Sequence, residues 1–147
     1  MWHMGRSLTN LGLAVALAML ALPASVMADE GDDIAGNYDV KFDEVQNSCE
    51  NTGISLRKST IELSKGQRKR MDVTVPMVPI MKGVASKGGK FKAKAQKGPT
   101  AIQGVDGKFS VSGRVNDGVI QMVFIAEYFQ GEKALCTQSW NASGIKK

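Results

Sequence analysis

From Gly36 onward, apolar and polar residues alternate with a period of two over almost the whole chain. Tyr38, Val40 and Phe42 are interleaved with Asp39, Lys41 and Asp43. Met71, Val73 and Val75 are interleaved with Asp72 and Thr74, and Phe91, Ala93 and Ala95 with Lys90, Lys92 and Lys94. Phe109, Val111 and Gly113 take turns with Ser110, Ser112 and Arg114. Successive side chains of a strand point to opposite faces, so each run predicts a half-buried strand with one wet face. Ile54 and Leu56, then Ile61 and Leu63, read as one run broken by a bulge or turn at residues 57–59. Helical periodicity is nearly absent.

Two stretches break the pattern. Residues 119–129 are apolar on both faces near their centre, which predicts a long central strand or one with a covered outer face. Residues 75–84 contain Pro76 and Pro79. Proline cannot donate to a sheet ladder, so this stretch predicts an edge, a bulge or a kinked strand. Lys65-Gly66, Lys87-Gly88-Gly89, Asp106-Gly107, Asn116-Asp117-Gly118 and Gln130-Gly131 punctuate the runs. Such dipeptides favour the positive-φ turns of hairpins. The expected fold is all-β: an antiparallel meander of seven or eight strands forming a small barrel, with a β-sandwich as the alternative.

The first 28 residues have a different character. Arg6 precedes a run of apolar or small residues from Leu11 to Leu22, Pro23 ends the run, and Val26-Met27-Ala28 leads into Asp29. This is the three-part pattern of a secretory signal, with cleavage expected after Ala28. As a helix the apolar run would span about 18 Å, short of the roughly 30 Å hydrocarbon core of a bilayer. The expected organisation is a signal peptide over 1–28, a flexible acidic N-terminus over 29–35 and a single all-β domain over 36–147, placed in the periplasm or secreted.

Export changes the meaning of the cysteines. The chain has two, Cys49 and Cys136. In an oxidising compartment such a pair is most simply a disulfide. A redox-active pair ordinarily sits as Cys-x-x-Cys, and two thiolates without histidine leave a zinc site short of ligands. A bond between them would bring the two ends of the domain together, as a closed barrel or a two-sheet sandwich requires.

The first strand opens Gly36-Asn37-Tyr38. In this triplet, and in its strand count, the chain resembles the lipocalin-like, or calycin, barrels, whose first strand begins Gly-x-Trp. It departs from them in carrying Tyr38 where the family has tryptophan, in its shorter length, and in lacking a helix signal near its end. The resemblance implies a barrel around an apolar ligand cavity. Its lining would come from the inward positions Tyr38, Phe42, Phe91, Phe109, Met122, Phe124 and Trp140.

Charge is unevenly spread. Residues 29–50 hold eight acids and one base, whereas residues 57–97 hold twelve bases and two acids. Lys87, Lys90, Lys92, Lys94 and Lys97 are the densest part, and in a strand Lys90, Lys92 and Lys94 share one face. Mutual repulsion makes this costly unless salt, the acidic segment or an anionic partner screens it. The five lysines form a candidate anion-binding surface; the competing role is a solubilising edge strand. Nucleic acid fits poorly, because single-strand binders interleave aromatics with bases and Phe91 points away from the lysines.

The only histidine, His3, lies in the signal. Ser-His-Asp and Cys-His catalysis and imidazole metal sites are therefore ruled out for the exported chain. Phosphate-binding glycine loops are missing as well. Met71, Met77, Met81 and Met122 are soft ligands in principle, but Met71 and Met122 have the parity of core residues. No catalytic residue, metal or cofactor is expected. The chain reads as a non-catalytic binding protein. It would be a lipocalin-like carrier of a small apolar molecule, an envelope-associated protein docking to anionic surfaces or acidic proteins through its lysine-rich strand, or a small secreted enzyme inhibitor acting through the turn at residues 75–82.

Overall fold

The computed structural model describes residues 34–147. The signal peptide expected over 1–28 and most of the flexible N-terminus expected over 29–35 lie outside the described residues. Eight antiparallel strands follow one another: β1 Gly36–Asn47, β2 Lys58–Lys65, β3 Arg70–Thr74, β4 Met81–Ala85, β5 Lys90–Pro99, β6 Asp106–Asn116, β7 Val119–Gln130 and β8 Lys133–Lys146. Each pairs with the next and β8 pairs with β1, so the meander closes into a barrel. The ring is uneven, since β3 and β4 have five residues each and β8 has 14. One 3₁₀ turn, Lys87–Gly89, joins β4 to β5.

Alternation sorts the side chains as expected. Tyr38, Val40 and Phe42 of β1 point inward, as do Ile61 and Leu63 of β2, Phe109 and Val111 of β6, and Met122 and Phe124 of β7. Bulky residues come mainly from β1, β6, β7 and β8. The β4–β5 wall contributes Met81 and Phe91 together with the small residues Ala85, Ala93 and Ala95, which leave room for large side chains from across the barrel. Met71, Met81 and Met122 are core residues on three different strands.

The structure departs from the sequence pattern in three places. Ile54 and Leu56 do not extend β2; they lie in the β1–β2 connection and pack against the core at one end of the barrel. Asp106-Gly107 begins β6, and the turn before it occupies residues 100–105. Pro76 and Pro79 fall in the β3–β4 turn, where no ladder bond is forfeited, and the closed ring leaves no edge strand for them to mark. The β6–β7 hairpin follows expectation: Asp117 and Gly118 both have positive φ, 50° and 75°, as a two-residue type I′ turn requires.

The tyrosines report on this packing. The Tyr38 hydroxyl donates to the Ile34 carbonyl at 2.6 Å. Burial pushes both phenols above their ordinary value of 10.0, although a backbone hydrogen bond at Ile54 pulls Tyr128 the other way. The neutral phenols therefore add stability that is complete below that value and is lost as pH rises through the raised ones. In an alkaline titration we expect no tyrosinate absorbance step at the ordinary value while the β circular-dichroism signal is intact. A step there with the fold retained would contradict the burial.

Candidate functional site

The seven inward candidates are together in the core, and ring contacts link four of them. Phe124 contacts the Trp140 ring at 5.3 Å between centroids, stacks on Phe109 at 6.1 Å and meets Phe42 edge-on at 6.5 Å. Tyr38, Phe124 and Trp140 are 0% exposed, so no water-sized void touches them. Phe91 and Met122 are buried and flank Gly113 across the β5–β6 and β6–β7 ladders. One polar group is left over in this core: among the described residues, the buried Trp140 Nε1 finds no acceptor. An unmet buried donor costs about 1–3 kcal/mol.

The end of the barrel that carries the β1–β2 connection is closed by a polar clamp and a disulfide. Cys49 and Cys136 are bonded, with Cα atoms 5.1 Å apart, so the connection is tied to the start of β8. The Gln138 side chain is buried. Its Oε1 accepts from the Ile54 amide at 2.9 Å and from the Tyr128 hydroxyl at 3.1 Å, while its Nε2 donates to the Ile54 carbonyl at 3.0 Å. The amide thus stands in for a strand partner and satisfies both backbone groups of a residue that has none. Sequence reading missed this role for Gln138. Its inward parity beside Cys136 and Trp140 was the available signal, since a buried glutamine needs partners.

The lysine-rich segment divides. Lys90, Lys92 and Lys94 project from the outer face of β5. Lys87 sits in the 3₁₀ turn. Lys97 is engaged locally: its ammonium donates to the Gly131 carbonyl and lies 4.8 Å from the Phe129 ring centroid. Two cations that sequence reading did not include join the first three. Lys82 of β4 stands directly opposite Lys94, and Arg114 of β6 directly opposite Lys90. Parity could place both outward, but only strand register makes them neighbours. Like charges in such positions repel. Among the described residues, none of these five cations is within ion-pairing distance of a carboxylate. Asp72 of β3 stands directly opposite Lys82 on the side away from Lys94, whereas the β1 acids Asp39, Asp43 and Glu44 lie four strands from β5 in either direction. Lys41 and Lys147 pair with Asp43 and Asp39 there, each at 3.5 Å.

Two open troughs run across the outer wall and share Ser112, Gly113 and Arg114. One, of about 550 Å³, crosses β6, β7 and β8 past Gln121, Val123 and Asn141 to Asp43. The other, of about 490 Å³, crosses β6, β5 and β4 past Lys90 and Lys92 to Val84. The second is the cationic one. Among the described residues, no group of three or more His, Cys, Asp or Glu side chains could hold a metal ion, and no helix is long and apolar enough to cross a membrane. Comparison with known proteins finds no matching family model, no matching curated protein and no matching solved structure.

Proposed function

We propose that this protein is a non-catalytic binding module of the cell envelope or exterior, and that it docks the outer face of β4, β5 and β6 onto an anionic surface. One observation carries the reading: Lys82 faces Lys94 and Lys90 faces Arg114 across the ladders, and although Asp72 of β3 faces Lys82 from the other side, the register sets no carboxylate opposite Lys90, Lys92, Lys94 or Arg114. A fold that stores repulsion on one wall gains most when an anion covers that wall. The disulfide is consistent with an oxidising extracellular or periplasmic location. The lysines also argue that this wall does not face acyl chains, where each would cost about 2–4 kcal/mol at the bilayer midplane.

The test is binding to immobilised heparin across a salt series. Affinity should fall steeply with ionic strength, and Lys90→Glu with Lys94→Glu should weaken it at least about thirtyfold, which corresponds to about 2 kcal/mol. Affinity indifferent to salt, or untouched by the double reversal, rejects the reading.

The lipocalin-like carrier is the second reading. The eight-strand closed meander and the unpartnered Trp140 Nε1 favour it. A ligand carbonyl accepting from that nitrogen would have to part the Phe124–Trp140 contact. Native mass spectrometry of the protein from its own compartment should then show a bound small molecule, and quenching of Trp140 fluorescence should follow its return.

A further inference from the structure

The β3–β4 turn is built around a misplaced residue. The Val78 amide donates to the Val75 carbonyl at 3.2 Å, closing a four-residue turn. Pro76 supplies the fixed φ of its first corner, and Met77 occupies the second with φ +67°. That corner of a type II turn ordinarily takes glycine or asparagine. A methionine there is strained, and strain of this kind is concentrated at contact sites, held in place by its surroundings. Val78 packs against the core and anchors the turn. Met77 is thrown outward and is 70% exposed; Ile80, after Pro79, is 54% exposed. Ile102 is exposed on the 100–105 connection at the same end of the barrel.

This apolar tip adjoins the cationic wall. Ile80 has the outward parity of Lys82 and Val84 on β4, and Lys82 faces Lys94 on β5. A soluble polyanion is answered by cations alone and has no use for an exposed methionine and isoleucine beside them. An interface with phosphates lying over acyl chains uses both. The tip leaves water, while the lysines keep their ammonium groups at headgroup level on flexible aliphatic stems. We infer that the anionic partner is a phospholipid bilayer surface, entered by Met77 and Ile80 under the electrostatic hold of Lys82, Lys90, Lys92, Lys94 and Arg114; this rests on the docking reading above.

The experiment compares the protein purified from its own cells with the Met77→Gly, Ile80→Ser variant. The probes are phosphatidylcholine vesicles containing phosphatidylglycerol and, separately, heparin. Glycine suits the φ of residue 77, so the variant keeps the fold. It should bind the anionic vesicles at least about tenfold more weakly than the parent while binding heparin equally well. Parent and variant binding vesicles alike, or a parent that binds heparin but not vesicles, overturns the bilayer inference and leaves the docking reading standing. A parent that binds neither overturns both.

Discussion

Replacing Cys49 and Cys136 together with serine is expected to lower the unfolding free energy by about 4 kcal/mol. The bond joins residues 87 apart, so in the unfolded chain it closes nearly the whole domain into one loop. The folded barrel has less need of it. Ser48 donates its amide to the Thr137 carbonyl at 3.1 Å, the Thr137 amide donates to the Ser48 hydroxyl at 3.0 Å, and Gln138 holds Ile54. These contacts keep the β1–β2 connection against β8 without sulfur. Most of the loss should therefore come from freeing the unfolded chain. In urea unfolding the variant should show both a lower midpoint and a steeper dependence on denaturant, because its unfolded state exposes more surface. A loss under about 1 kcal/mol with an unchanged slope would show that the cross-link does not constrain the unfolded ensemble.

The second large effect needs only one methyl group. A Cβ on Gly144 would land on the Asp39 carbonyl oxygen and beside the Val40 Cα, both backbone atoms of β1 at the seam where the barrel closes. A Cβ on Gly83 would land on the Lys92 carbonyl oxygen of β5. Backbone engaged in a ladder cannot give way as a flexible side chain can. Sharply coiled barrel strands use glycine where a neighbour comes this close. Gly144→Ala is expected to cost about 3 kcal/mol, and Gly83→Ala a similar amount. Gly98→Ala is the control. Its Cβ would meet only the Gln96 carbonyl at 3.7 Å, an ordinary contact, and the change should stay within about 0.5 kcal/mol of neutral. Equal stability of all three alanine variants in thermal unfolding would mean that the strands do not approach as described.

The glycine prediction turns on neighbours that sequence does not name, and the same holds for the candidate site. The outward parity of Lys90, Lys92 and Lys94 is legible because period-two alternation requires it. That Lys82 and Arg114 complete the cluster is not, because pairing depends on how far β4 and β6 slide along β5. Lys97 shows the reverse error. Its place at the end of the basic run suggests a free cation, yet the β7–β8 hairpin brings the Gly131 carbonyl and the Phe129 ring to its ammonium. Nor could the turn at Met77 be foreseen in detail. Two prolines announce an interruption, but a positive φ at a methionine is imposed by the packing of Val78 and the closure of β3 onto β4.

Alternation, turn dipeptides and two cysteines were enough to determine an all-β meander of about eight strands with its head and tail joined, since these signals act over a few residues or, for the cysteines, through a single covalent bond. Tertiary structure alone decided that the strands close into one ring rather than two sheets, that the inward aromatics pack ring against ring, and that Lys82 stands opposite Lys94 and Lys90 opposite Arg114. Those outcomes depend on register, curvature and volume summed over the whole ring, which no local pattern encodes.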